Sequence, residues 1–229
     1  MENRISVLDH GFISLVDTMP NRVPPAADMA VVQAARVSYG SGSKGEEKDK
    51  KLIKYLLDNG HTSPFEMVEF KFHVKMPIFV ARQWVRYRTA NINEYSGRYS
   101  TMSRDYYIPF NWRMQDKNNK QGSDGIFQYP KLLNDGTEDI CQRALLFYDT
   151  LITKGIAREQ ARMVLPVNFY TEWYWKNDLH NVMNFLRQRL DFHAQMEIRV
   201  YAGAMLKLVK KVCPWTMEYF EESSTRTSS

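Results

Sequence analysis

The chain has 229 residues, 44% of them hydrophobic and 25% charged, a composition that excludes a disordered or fibrous protein. Its formal net charge of +5 favours anionic partners without choosing between a nucleotide and a polymer. Cys141 and Cys213 lie far apart and outside any C-x-x-C pair, which excludes a disulfide scaffold and speaks against a zinc site. No apolar run approaches the ~20 residues that span a bilayer, so no membrane partner is expected. The opening M-E-N-R-I-S-V-L lacks a signal-peptide core and points to a cytoplasmic location.

Ile5–Leu8 and Phe12–Val16, joined through Asp9-His10-Gly11, read as two strands and a tight turn. After a proline loop, 27–37 reads as an alanine-rich helix and 39–45 as a flexible joint. Residues 46–57 form an amphipathic pattern with Leu52, Tyr55 and Leu56 inward, stopped by Gly60. His61-Thr-Ser-Pro-Phe-Glu66 is a fixed polar corner, either turn chemistry or a ligand-facing element. The alternation V-E-F-K-F-H-V over 68–74 is the clearest strand, with Val68, Phe70, Phe72 and Val74 on one side. Pro77 suits the first turn of a helix whose inner positions are Ile78, Ala81 and Val85. Gln83 and Arg86 share another face with Arg82.

Beyond Arg88 the period fails, and 89–97 is predicted to be a loop. Tyr106–Pro109 reads as a short strand and 111–125 as a polar surface loop. A helix over 138–152 places Cys141, Leu145, Tyr148 and Ile152 inward, with Thr137 as its cap. A short helix follows over 158–165. Phe169–Trp175 alternates as a second strand, and Asp178 caps a helix over 179–190 carrying Asn181, Asn184 and Gln188 in a polar stripe. Ala194, Ile198, Tyr201, Met205 and Leu208 mark a long buried-face helix. With no repeat or boundary, 1–220 is expected to form one domain and 221–229 a frayed polar tail.

Arginines gather at three of these element ends: Arg82/Arg86/Arg88/Arg98, Arg158/Arg162 and Arg187/Arg189. Each group taken alone reads best as a solvated face. Yet each interleaves with amides, hydroxyls and a carboxylate and sits where a helix leaves backbone donors free. A nucleotide needs that mixture: forks for phosphate, amides for a base edge, a carboxylate for a ribose or amine. The phosphate loops G-x-G-x-x-G and G-x-x-x-x-G-K-[ST] are missing, as is the G-x-S-x-G elbow. His193 and Glu197 stand four apart, but no second histidine has matching spacing. A buried polar pair or an end cap is therefore the default over a metal site. Neither cysteine looks activated: Cys141 sits mid-helix on an apolar face and Cys213 precedes Pro214. A nucleic-acid-binding module is the competing reading of the basic, aromatic-rich composition.

Arg86-Tyr-Arg88, seven residues, then Ser96 resembles the Arg-His-Arg, seven residues, Ser signature of the flavin-dependent thymidylate synthases. The likeness continues through N-E-Y-S-G-R-Y-S, H-T-S-P-F-E at 61–66, A-R-Q-W-V-R at 81–86, A-R-M-V-L-P at 161–166 and L-D-F-H-A-Q-M-E-I at 190–198. It covers nearly the whole chain, with one departure: Tyr87 stands where the family has histidine. The resemblance implies an α/β (α+β) fold, a central sheet containing antiparallel strands with long helices packed on it. It implies reductive methylation of dUMP to dTMP, with methylenetetrahydrofolate as carbon donor and NADPH as reductant through FAD, without a cysteine nucleophile. It also implies a homotetramer with shared sites, and no nucleic-acid partner; a different flavoenzyme that has kept the fold is a third reading.

Carried over by block, Gln83, Trp84, Arg86, Glu94, Tyr95, Ser96, Gly97, Arg98, Arg162 and Arg189 are expected at dUMP, Arg98 and Arg162 on its phosphate. Arg189 is the expected catalytic residue, set by the uracil ring to favour its ionised form. Ser63, Arg86, Tyr87, Arg88, Glu94, Asp178, His180 and Asn184 are expected at FAD, and His61 near the flavin or folate. Ser96 is expected to donate a hydrogen bond, since no base is spaced to activate it. No metal is expected.

Overall fold

A computed structural model describes residues 3–21, 24–40, 42–120 and 122–226. Strands β1 (Arg4–Val7) and β2 (Gly11–Met19) form the opening hairpin. Helices α1 (Ala26–Ala35) and α2 (Glu46–Asp58) follow. The chain then runs through β3 (Glu69–Pro77) directly into α3 (Ile78–Trp84). Next come β4 (Asn91–Glu94), the hairpin β5 (Arg113–Gln115) and β6 (Ser123–Ile126), α4 (Pro130–Thr153) and a single turn α5 (Arg158–Ala161). Last are β7 (Tyr170–Asp178), α6 (Leu179–Arg189), α7 (Met196–Val212) and α8 (Pro214–Arg226).

Five strands make an antiparallel sheet in the order β1-β2-β3-β7-β4. The period of two along β3 buries Phe70, Phe72 and Val74 on one face, which β7 extends with Trp173 and Trp175. Helices α6 and α7 cover that face with Val182, Phe185, Leu186, Ile198, Tyr201 and Met205. The opposite face stays polar: His73 stacks on Tyr174 with centroids 4.8 Å apart and meets Glu172 at 2.9 Å. Gly11 marks the tightest approach, because a Cβ there would fall 2.0 Å from the Tyr201 hydroxyl.

Several expectations change on contact with the fold. On α2, Ile53 and Leu56 turn inward and Tyr55 outward. The inner face of α3 is Val80, Ala81 and Trp84 rather than Ile78, Ala81 and Val85, and Pro77 closes the strand before the helix begins. Residues 91–94, expected as loop, are the edge strand β4 paired with β7. The 111–125 loop holds the β5–β6 hairpin. Thr137 caps nothing, since α4 starts at Pro130. Tyr106–Pro109 makes one isolated bridge, Tyr106 to Phe169. The polar stretch from Glu221 continues α8 to Arg226 instead of fraying; the remaining three residues of that tail lie outside the described residues. The joint over 39–45 carries its own fastening. Buried Asp49 accepts from Arg36 at 2.6 Å and from the Lys44 backbone at 3.2 Å, and Arg36 also binds the Gly42 carbonyl.

Candidate active site

A helix turns about 100° per residue, so burying Trp84 in α3 points Gln83 sideways and leaves Arg86, Tyr87 and Arg88 just past the helix end. Trp84 is stacked on Phe185 at 4.7 Å and edges against Trp173, Trp175 and Tyr201, with no exposed surface. Expected at the nucleotide, it belongs to the core. The polar stripe of α6 faces Arg86–Arg88 across a cleft of about 530 Å³ whose walls include Tyr87, Asn184, Gln188 and Arg189. Asp178 fixes the start of α6 by accepting from the Asn181 backbone at 2.8 Å and its amide at 2.7 Å. Both Asp178 oxygens are thereby occupied in capping.

Arg189 ends α6 and also borders a second cavity of about 790 Å³, together with Gln83, Arg113, His193, Gln195 and Arg199. One polar chain crosses its floor. The Gln83 amide donates to Gln195 Oε1. The Gln195 amide donates to Glu197 at 2.8 Å. Buried Glu197 takes Arg113 Nη2 at 2.8 Å on each oxygen and the Tyr107 hydroxyl at 3.2 Å. Burial, then the Glu197 charge, pushes the Tyr107 phenol upward, which keeps it a donor. Arg113 and Gln195 carried no expectation from the sequence on their own, and Glu197 was weighed only as a partner for His193. The block L-D-F-H-A-Q-M-E-I held two of them, and Arg113 lay inside a stretch read as loop.

The electrostatics of the two clefts are one-sided. Arg86, Arg88 and Arg189 have no carboxylate partner among the described residues. Arg189 Nε is buried with no hydrogen-bond partner, and its guanidinium lies 5.3 Å over the Tyr87 ring. Burial raises the Tyr87 phenol, opposed by the adjacent Arg189 charge. A buried guanidinium donor without a mate costs stability unless a ligand supplies an acceptor. Forks and amides around it suit a group with phosphates and heterocyclic edges, so the donor set fits a dinucleotide such as FAD.

The other expected residues divide as follows. Glu94 and Tyr95 border a shallow cleft of about 280 Å³ on the open sheet face, where Glu94 accepts from Thr171 at 2.7 Å. Ser96, Gly97, Arg98 and Arg162 form a separate group. Gly97 is buried, and a Cβ there would fall 2.3 Å from Met102 Sδ and 3.4 Å from Arg162 Cδ. Arg98 leans on Glu159 at 3.5 Å. The Ser96 hydroxyl contacts the Arg98 backbone amide at 3.4 Å. Within one chain, Arg98 and Arg162 line neither cleft that Arg189 borders. His61 is exposed, 5.8 Å from the Tyr55 ring; Ser63 is exposed as well, and His180 is half-buried in the first turn of α6.

His193 lies before α7, not on it, and pairs with Asp191 at 3.0 Å, so it shares no face with Glu197. Among the described residues no group of three His, Cys, Asp or Glu is placed to hold a metal. Burial pushes both the Cys141 and Cys213 thiols up, leaving neither poised as a thiolate. No helix among the described residues is long and apolar enough to cross a membrane.

Comparison with known proteins meets this geometry from outside. The family described as "Thymidylate synthase complementing protein" matches residues 14–215. A flavin-dependent thymidylate synthase of Thermus thermophilus is 53% identical over 218 residues, spanning 95% of this chain and 78% of that protein. The enzyme of that name from Dictyostelium discoideum is 49% identical over 222 residues, 94% of this chain and 73% of its own. Among solved structures, a UMP/dUMP methylase, PolB, from Streptomyces cacaoi bound with 5-Br dUMP superposes with a TM-score of 0.84. It is 31% identical and covers 95% of this chain and 97% of its own. With its antiparallel sheet, its helix-lined clefts and these relatives, the chain belongs to the flavin-dependent thymidylate synthase family.

Proposed function

We infer that this chain makes dTMP, reductively methylating dUMP with carbon from methylenetetrahydrofolate and reducing equivalents from NADPH passed through FAD. The observation that carries the reading is Arg189, whose buried, unpartnered Nε sits where two clefts meet. FAD, when bound, supplies the hydride chemistry. The chain's own groups bind and orient. In this reading Arg86, Arg88 and Asn184 hold FAD in the smaller cleft, and Gln83 and Arg189 face the uracil ring in the larger one. Arg189 sets a fixed positive charge against negative charge developing on that ring, in a site already organised before reaction. The buried thiols agree with a route that uses no cysteine nucleophile.

Arg98 and Arg162, with Ser96 and Gly97, serve the dUMP phosphate. They reach Arg189 when copies assemble, so a homotetramer belongs to the proposal. Support comes from the outer side of α4, which leaves Ile140, Leu146 and Phe147 more than half exposed, with Met163 and Val167 beside it in sequence order past α5. Exposed apolar side chains of this kind support an interface between copies there. Glu94 and Tyr95 lie at the rim of the same shared site; His61 and Ser63, which line neither cleft, serve a ligand shared between copies. Residues 1–220 act as one domain, in the cytoplasm, where nucleotide synthesis would place it.

The test is release of tritium from dUMP labelled at C5. Release that requires FAD, NADPH and methylenetetrahydrofolate together is the expected result. No release from folded, FAD-loaded protein would sink the assignment. The Streptomyces protein is named for UMP as well as dUMP, so labelled UMP run in parallel decides whether the ribose 2′-hydroxyl is tolerated.

A further inference from the structure

Tyr87, the residue that departs from the family signature, does not simply present its ring to the cleft. Its edge packs on Phe185 with centroids 5.0 Å apart, and Arg189 lies over its face. Its hydroxyl donates to Gln188 Oε1 at 3.0 Å. Gln188 Nε2 in turn lies 3.0 Å from Asn184 Oδ1. The Arg189 cation beside the ring favours the tyrosine oxygen turned toward it and the hydroxyl proton turned away, onto Gln188 Oε1. A carbonyl oxygen that accepts from Tyr87 leaves the Gln188 –NH₂ for Asn184. Asn184 must then accept through Oδ1, which frees its –NH₂. That –NH₂ has no partner among the described residues, and Asn184 lines the cleft with Arg86 and Arg88.

We propose that Tyr87 and Gln188 are positioning residues that fix Asn184 as a donor toward FAD, through a one-way relay that starts at Arg189. The inference rests on the assignment of this cleft to FAD. It gives Tyr87 a task that does not require contact with the flavin: it sets the polarity of an amide two residues along the relay. An asparagine amide is otherwise free to turn over and offer either oxygen or nitrogen at equal cost. An acceptor atom of the cofactor, a phosphate oxygen or a ring carbonyl, would then be met only part of the time. With the relay intact, Asn184 adds a fixed donor to those of Arg86 and Arg88 in the same cleft.

The experiment measures FAD affinity of the full chain by quenching of FAD fluorescence. Gln188→Met keeps the size of the side chain but breaks both links, and because Gln188 is exposed the variant's thermal stability stays at the wild-type value. Gln188→Met and Tyr87→Phe are each expected to weaken FAD binding about 3- to 10-fold, the worth of one oriented hydrogen bond. Asn184→Ala weakens it by a similar factor, and in that background Gln188→Met has no further effect, since members of one relay are not additive. Gln188→Met that leaves FAD affinity unchanged, or that weakens it equally with Asn184 already removed, overturns the relay while leaving the flavin assignment standing. Wild-type protein that binds no FAD overturns both.

Discussion

Arg113 and Arg189 border the same cavity and differ in everything that decides their work. Arg113 spends its fork on Glu197 and its Nε on Ser123 at 3.1 Å. Arg189 has a tyrosine face beneath it and a buried Nε with nothing to bind. One arginine is closed by the fold and the other is left open. The contrast extends over the molecule: Arg36, Arg104 and Arg143 are tied to Asp49, Asp149 and Asp139, whereas Arg86 and Arg88 have no carboxylate partner among the described residues. The paired arginines are spent within the fold, whereas Arg86, Arg88 and Arg189 are left for a ligand.

The contrast can be broken by substitution. Arg113→Ala strips a carboxylate that is 3% exposed of its counter-charge, and we expect a loss of about 3–5 kcal/mol in urea denaturation. Arg189→Ala is expected to act on the other axis. Unfolding stays near wild type, saturating FAD still loads the protein although its affinity falls by the roughly 3- to 10-fold of a broken relay, and tritium release falls roughly 10²- to 10³-fold. If both changes moved stability and turnover alike, the division between closed and open arginines would not hold.

A third expectation concerns pH. The Asp105 carboxyl is held below the usual carboxylate value, first by its hydrogen bond from Lys75 and against its partial burial. A depressed native value means that its contribution is complete above the ordinary aspartate range, near pH 4, and is lost as pH falls through the native value. Asp105→Asn should therefore flatten the acid limb of the stability profile and leave neutral-pH turnover alone. The smallest effect is expected at Arg143→Ala. It removes an exposed pair with Asp139 one helical turn away and should cost about 0.3–0.5 kcal/mol, with no change in turnover.

The parts legible in the sequence are those whose signal is local. The alternation of β3, the aromatic run of β7 and the apolar stripe of α7 each bury the side they display. Asp178 announces the start of α6, and the structure uses it there. What escaped depends on distant partners. β4 reads N-I-N-E, with one apolar residue, because an edge strand needs only its neighbour β7 to hold it. α8 opens on Pro214. Its first backbone donors, Trp215 and Thr216, are taken by buried Asp28 at 3.0 and 2.9 Å, from the far end of the chain. Trp84 was misplaced by one step around α3, since both Ala81/Val85 and Val80/Ala81/Trp84 satisfy helical spacing. Only packing against Phe185 chooses between them. At the site, the arginines were visible as a composition, and Arg86, Tyr87, Arg88, Asn184 and Arg189 do share a cleft. The chain from Gln83 to Arg113 was not visible, because it joins α3, the start of α7 and a hairpin that reads as polar loop.

The central claim is that a deoxyuridylate is gripped by open guanidinium groups against a bound flavin. The most direct measurement is the visible absorption spectrum of the purified, FAD-loaded protein titrated with dUMP. The account requires flavin bands that shift saturably as dUMP fills the adjoining cleft, with the shift lost in Arg189→Ala while the bands themselves remain. A flavin spectrum indifferent to dUMP in the wild-type protein, or one that responds equally in Arg189→Ala, would contradict it.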